Sequence, residues 1–333
     1  MKVLVLAGAN LLPAGSLDEA SHLLAEDAPI EAKAFVHIRG RMVIEYVLDW
    51  LHEAGLHRIW VLGPEQCLKA IPSHYGIEPI VQRPRASLAR NLSHGKEVIP
   101  LAPDEPALVV FGDHPLTTAR ALEDFLDFCL PRLEEADLFH GLALRDAYLE
   151  YAHYFHRTSV LMRECPGRVT GLNLIVPHRI HGIPAADEIY SVRKLERFGR
   201  FLSLLARTLY LLGSAAPAAV FDSARLYAAK EFEKMSRRSG RRGMLGKRGM
   251  HWLQRQVSVK SVERYAGKLF RTERGVRIVP LAHGGTALDV DFDEELVILE
   301  ENWDELRAIA RRQDEASRAR ARGQRDGTMR SSE

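Results

Sequence analysis

Apolar residues recur through the first half of this chain in short runs, separated by longer stretches with helical periodicity. Val3–Leu6, Arg58–Leu62, Ile77–Val81, Ala107–Phe111 and Asp137–Leu144 are predicted strands. Between them, Gly40–Ala54 puts Met42, Val43, Tyr46, Val47, Trp50 and Leu51 on one helical face. Ala86–Ile99, closed by Pro100, and Thr118–Leu130 are predicted helices too. Strands alternating with helices argue for an α/β fold, a mostly parallel sheet with helices on both faces. Such sheets bind ligands beyond the carboxyl ends of their strands.

The second half has a different rhythm. Val169–Val176 reads as a strand ended by Pro177, and Val276–Pro280 as another. Between them, residues 191–270 are helical in pattern with no convincing strand, which marks an insertion. The run TALDVDFDEELVILEENWDEL reads as a short strand, a turn and a helix. Beyond Arg311 the chain is polar and mixed in charge, the composition of a frayed helix and a disordered tail. The expected division is a core of residues 1–190 plus 271–312, a helical insertion at 191–270 and a tail at 313–333.

Composition narrows the function classes. A net charge of +2 over 333 residues gives no general case for nucleic-acid binding. Cys67, Cys129 and Cys165 are widely spaced and form neither a CxxC pair nor a disulfide framework, as expected in a reducing cytosol. The N-terminal MKVLVLAGAN lacks a secretory cleavage pattern. No stretch reaches the roughly 18 apolar residues of a membrane span; the nearest, Phe201–Val220, is interrupted by Arg207. A cytoplasmic, soluble protein is expected. Cations greatly outnumber acids between Lys230 and Arg248. Three readings stay open for that region: a solvated helix end, a lid binding a phosphorylated substrate, or a peripheral contact with anionic lipid through residues 201–256.

Four segments carry candidate chemistry. Ala7 and Gly8 follow the first strand, where small residues let backbone N–H groups approach a phosphate or base. Lys33 precedes a short extended stretch and can set positive charge against a polyphosphate. Ser87 and Asn91 open a helix, as an N-cap or as contacts to a nucleoside. Asp113 closes the strand Ala107–Phe111 through Gly112, and Asp289 and Asp291 alternate near the chain end. Each acidic segment alone is as easily a turn or the solvent side of a strand. Two carboxylates from distant segments are also what a magnesium–triphosphate site requires.

Taken in order, these segments resemble the molybdenum-cofactor guanylyltransferase-like family, the MobA-like NTP transferases of the GT-A-like nucleotide-diphospho-sugar transferase fold. The matching stretches are VLVLAGAN, AKAFVHIRGRMVIEYVLDWL, ASLARNL, VVFGDHPL, TGLNLIV and DVDFDEEL, over roughly residues 1–180 and 275–300. The resemblance implies a three-layer α/β/α, Rossmann-like fold. It implies transfer of a nucleotidyl group from a nucleoside triphosphate to a phosphorylated small-molecule acceptor, pyrophosphate release, and a need for Mg²⁺ or Mn²⁺. On this chain it assigns Ala7, Gly8 and Gly112 to backbone contact with the nucleotide and Ser87 and Asn91 to the nucleoside. Lys33 takes the phosphates, Asp113 and Asp291 the metal with Asp289 as substitute for Asp291, and Asn173 the acceptor side.

The chain also departs from that pattern. Its first loop reads LAGANLLPAGSLDEASHLL, with no Arg at the spacing where the family grips the β- and γ-phosphates. Ala32 replaces a Pro, Ser87 lacks its preceding Gly, and Asp293 replaces the Pro of the last motif. Arg39, Arg41, Arg83 and Arg85 are the candidate replacements for the missing cation. Two alternatives follow: a non-catalytic nucleotide-binding sensor or scaffold, and a glycosyltransferase of the same fold, with Asp289-Val290-Asp291 imitating its DxD pair.

Overall fold

The computed structural model describes residues 1–8, 32–83, 87–155, 160, 162–183, 257–290 and 293–330. Most of the first loop, Arg85, Asp291 and residues 184–256 of the insertion and its approach lie outside them. The described residues form nine strands: β1 (Lys2–Leu6), β2 (His37–Ile38), β3 (Arg41–Met42), β4 (Arg58–Gly63), β5 (Glu78–Val81), β6 (Ala107–Phe111), β7 (Leu138–Leu144), β8 (Gly167–Ile175) and β9 (Val276–Leu281). β2 and β3 make a separate hairpin, and the other seven form one sheet in the order β5-β4-β1-β6-β8-β7-β9. Every neighbouring pair in that sheet is parallel except those made by β8, which runs against β6 and β7.

The apolar runs behave as sheet physics requires. All five residues of β1 are buried, and they alternate between two cores. Val3 and Val5 join Leu108 and Val110 beneath Val47 and Leu51 of α1 (Val43–Glu53), Leu68 of α2 (Glu65–Ala70) and Phe125 of α4 (Ala119–Cys129). Leu4 and Leu6 join Ala107 and Val109 on the opposite face. There they meet Ala89 of α3 (Leu88–Val98) and, more exposed, Ala266 and Phe270 of α6 (Val259–Phe270). A strand covered on both faces must be apolar throughout, which is why these strands lack a polar alternation. A third cluster joins α5 (Arg145–Leu149) and α7 (Asp293–Arg330) to α1, with the Tyr46 and Trp303 rings 4.5 Å apart. The fold is therefore the three-layer α/β/α arrangement with a mostly parallel, mixed sheet. Among the described residues no helix is long and apolar enough to cross a membrane.

Three local details differ from the sequence expectation. Gly40 does not open a helix. Arg39 and Gly40, at φ 53° and 74°, form the two-residue turn between β2 and β3, where both central residues need positive φ. The helix starts at Val43, after Glu45 reaches back to accept from the Met42 N–H at 2.9 Å. The expected strand at Thr286–Val290 is instead a 3-10 turn, Gly284–Ala287, and an extended segment. The segment expected to fray after Arg311 continues as α7 to Arg330, bent only at Asn302 (φ −112°, ψ 17°).

Polar anchors hold that last helix. Gln313 donates to the Ala147 carbonyl and Glu150 and accepts from the Gly284 N–H, each at 2.8 Å. His283, 3% exposed, sits between Asp124 (2.6 Å) and Asp314 (3.3 Å). Asp124 also takes Arg120 and Ser317, and Asp314 takes the Thr118 hydroxyl at 2.7 Å. Burial disfavours charge on His283, but the two flanking carboxylates outweigh it and raise the imidazole above its ordinary range. A raised histidine contributes stability that is complete below about pH 6.5 and lost as pH rises through the folded value. We expect His283→Gln to lower unfolding free energy by roughly 1–3 kcal/mol at pH 6 and by clearly less at pH 9, measured by urea denaturation. Equal losses at both pH values would mean that the histidine is not held charged.

Candidate active site

The chain order reverses between β1 and β6: β4 and β5 lie to one side of β1, and β6 to the other. At such a reversal the loops leaving the two strands diverge and open a crevice at their carboxyl ends. Ala7 and Gly8 leave β1 there, and Gly112 and Asp113 leave β6. The Gly112 N–H donates to the Leu6 carbonyl (3.0 Å) and the Ala7 N–H to the Leu62 carbonyl (2.8 Å), so both exits are pinned to the sheet. A Cβ on Gly112 would lie 3.1 Å from Ala34 Cβ and 3.2 Å from Ala7 Cβ. The small residues at 7, 34 and 112 thus let the Lys33–Phe35 turn cross directly over the end of β6.

On the β1 side, Gly8 is exposed and lies against two polar side chains. A Cβ there would stand 2.6 Å from Asn91 Nδ2 and 3.0 Å from Gln82 Oε1. Asn91 is 5% exposed and its Oδ1 has no hydrogen-bond partner among the described residues. Ser87 is the N-cap of α3, accepting from the Arg90 N–H at 3.2 Å. The capping role read from the sequence is therefore present, and it sets the helix turn from which Asn91 reaches Gly8.

On the β6 side, one oxygen of Asp113, Oδ1, is buried without a hydrogen-bond partner among the described residues, while the side chain as a whole keeps 25% exposure. Burial pushes this carboxyl above the ordinary carboxylate range, and the charge of Asp289 adds to the shift. His114 and Lys33 act in the opposite sense. The last motif is brought here by its backbone: the Val290 N–H donates to the Asp113 carbonyl at 3.1 Å. The sequence-predicted residues Ala7, Gly8, Lys33, Asn91, Gly112, Asp113 and Asp289 therefore gather around one rim. Asp291 lies outside the described residues. Asn173 stands mid-strand in β8, opposite Val109, with Oδ1 2.5 Å from His140 Nδ1.

Two residues at this rim carried no clear sequence signal. Arg168, at the start of β8, pairs with Asp289 at 3.3 Å and donates to the Ala287 carbonyl at 2.9 Å. The predicted strand began one residue after it, so nothing marked it as part of the site. His114 is 5% exposed, with Nε2 3.7 Å from Asp113 Oδ1, and its ring fills the space left by Gly171. The HisPro that follows Gly112-Asp113 was the only hint of it. The arginines proposed from sequence are engaged elsewhere: Arg39 with Asp304, Arg41 with Asp49 and Tyr75, and Arg83 with Glu97. Arg85 lies outside the described residues.

Among the described residues, no group of three or more His, Cys, Asp and Glu side chains could hold a metal ion. The rim does fit a divalent cation that takes most of its ligands from phosphate and water, as Mg²⁺ does. A buried carboxylate oxygen without a donor, beside a second carboxylate, lacks what such an ion supplies.

Residues 30–141 match the MobA-like NTP transferase domain. The match takes in Lys33, Ser87, Asn91, Gly112 and Asp113, and leaves Ala7, Gly8, Asn173 and Asp289 outside it. Over those residues, about a third of the chain, it is similar to a nucleotidyltransferase domain. Among solved structures, a hypothetical transferase from Thermus thermophilus has a TM-score of 0.58 at 23% identity, covering 89% of this chain and 100% of that one, a likeness of fold. The 4-diphosphocytidyl-2C-methyl-D-erythritol synthase from Anaerococcus prevotii has a TM-score of 0.43 at 9% identity, covering 91% and 96%. No curated protein matches the chain.

The raised Asp113 carboxyl has a sign that can be checked. Its ionised form opposes folding, and that penalty is complete only above the folded value. At pH 8 without metal, Asp113→Asn should leave the protein as stable as the parent or more so, by about 1–3 kcal/mol. Mg²⁺ or Mn²⁺ should raise the melting temperature of the parent and not of the variant. Equal shifts in both proteins would place the cation elsewhere.

Proposed function

We propose that the MobA-like NTP transferase domain of this chain works as a divalent-cation-dependent nucleotidyltransferase. It moves a nucleoside monophosphate group from a nucleoside triphosphate to a phosphorylated small-molecule acceptor and releases pyrophosphate. The observation that carries this reading is the meeting of Asp113 and Asp289, from distant parts of the chain, at the carboxyl end of β6 beside Lys33.

In this reading the base and ribose lie over Gly8, where the unpartnered Asn91 Oδ1 offers an acceptor, with Ser87 at the edge. Ala7 and Gly112 keep the approach open for the phosphates, which meet Lys33. Asp113, with Asp289 or Asp291, would hold Mg²⁺ or Mn²⁺, whose charge would offset that of the phosphates. An acceptor phosphate oxygen attacks the α-phosphorus, and the bond from that phosphorus to the pyrophosphate oxygen breaks. No protein nucleophile is needed, because positioning and fixed charge carry the rate. Arg168 is the described arginine paired within the acidic rim, and it takes the place of the cation missing from the first loop. Asn173 supports the acceptor side from β8. The setting remains cytoplasmic, and the anionic-lipid contact expected of residues 201–256 falls outside the described residues.

The altered first loop keeps a second reading in view, a nucleotide-binding sensor or scaffold without transfer activity. Pyrophosphate release, followed for each triphosphate with a panel of sugar and alcohol phosphates, separates the two. Asp113→Asn should cut release by about 100-fold or more while nucleotide still binds. Binding by calorimetry without release on any acceptor favours the sensor, and full activity in the variant removes Asp113 from the mechanism. Gly8→Ala should weaken nucleotide binding about tenfold with little change in melting temperature, because the added methyl must displace Asn91 and Gln82.

A further inference from the structure

The edge of the sheet away from β5 is formed by β9, and α6 lies along it. Lys260, Arg264 and Lys268 follow one another at four-residue spacing on α6, and Arg271 continues the row after the helix. All four are exposed. With Arg274 and Arg277 they line a shallow groove of about 470 Å³. Gly267 and Gly275 also line it, and among the described residues nothing lies within 4 Å of where a side chain on Gly275 would begin.

The acids at this surface are already used. Glu263 pairs with Arg277 and accepts from the Ile278 N–H, and Glu273 pairs with His181. Arg277 and Arg274 also pair with Glu135 and Glu134 of the neighbouring turn. Among the described residues, Lys260, Lys268 and Arg271 pair with no carboxylate, and Arg264 lies on the Tyr265 ring. Like charges at four-residue spacing work against the helix that bears them. The row therefore has the character of a surface completed by an external anion.

Its shape selects the kind of anion. The row extends for about 16 Å along the helix and does not converge on one point, which suits a plane of headgroups better than a single small phosphate. The sequence just before α6 points the same way. Residues 230–248 hold eight cations and two acids, and residues 201–220 are apolar but for Arg207 and a few small polar groups. A basic row preceded in the sequence by a basic run and an apolar stretch is the composition that anionic membranes attract.

We propose that the α6–β9 edge, through Lys260, Arg264, Lys268 and Arg271, docks on a membrane surface bearing anionic phospholipid. The proposal does not depend on the transferase reading, since none of these residues lies at the Asp113 rim. It is tested with the full-length chain by flotation with phosphatidylcholine vesicles, with and without phosphatidylglycerol. Binding is expected only with phosphatidylglycerol and should weaken steeply as salt is raised. A K260Q/R264Q/K268Q/R271Q variant should lose about tenfold or more of that binding while keeping its circular dichroism, melting temperature and nucleotide affinity. A charge-preserving set, K260R/K268R/R264K/R271K, should restore it. Binding of the parent to both vesicle types alike, or to neither, overturns the proposal, as does unchanged binding of the glutamine variant. Calorimetric binding of inorganic pyrophosphate to the row, lost in the variant without any vesicle binding, would reassign the groove to a soluble phosphate.

Discussion

One backbone hydrogen bond sets the geometry of the candidate site. The Val290 N–H meets the Asp113 carbonyl, joining the exit of a central strand to a segment near the other end of the chain. Without that bond Asp113 would be a turn residue and Asp289 the start of a helix approach. With it, two acidic side chains share a low-polarity rim, and the carboxyl of Asp113 rises in response. The bond is supported from both sides. The Gly284–Ala287 turn before it is held by Gln313 and Arg168, and α7 after it is clamped to α4 through His283.

The electrostatics of the rim support the proposed phosphate chemistry. Carboxylates alone would repel a triphosphate, and cations alone would not need a buried unpartnered oxygen. Asp113 and Asp289 are set among Lys33, His114 and Arg168, so the local charges are mixed. A ligand carrying both a divalent cation and several phosphate oxygens satisfies both signs at once. The uncharged side of the crevice, Gly8 over Asn91, is shaped by absence of side-chain bulk more than by any specific contact.

Much of this was legible in the sequence because the strands are buried on both faces and the turns carry small residues at forced positions. Val3–Leu6 and Ala107–Phe111 were placed to within a residue, and so were the residues that leave them. The segments that misled did so for identifiable reasons. Thr286–Val290 alternates like a strand, but its N–H groups bond to the His283, Gly285 and Asp113 carbonyls, and the Ala287 carbonyl accepts from Arg168, so it does not pair with a neighbouring strand. The polar stretch after Arg311 resembles a tail, yet Gln313 and Ser317 are buried because each has a specific polar partner. Arg168 could not be singled out, because its role comes from standing opposite Asp289, and single-chain periodicity does not encode such pairings.

The reversed direction of β8 has an architectural consequence. Its carboxyl end lies away from the rim, so the chain reaches Ile183 at the far end of the sheet, where Gly182 bonds to Phe270. Val257 stands at the opposite end, bonded to Arg163 just before β8 begins. The two residues flanking 184–256 are thus separated by about the length of α6, some 18 Å. A minimised version of this protein cannot close that gap with a tight turn. It needs a spacer of roughly six extended residues, or α6 would be pulled from its strand.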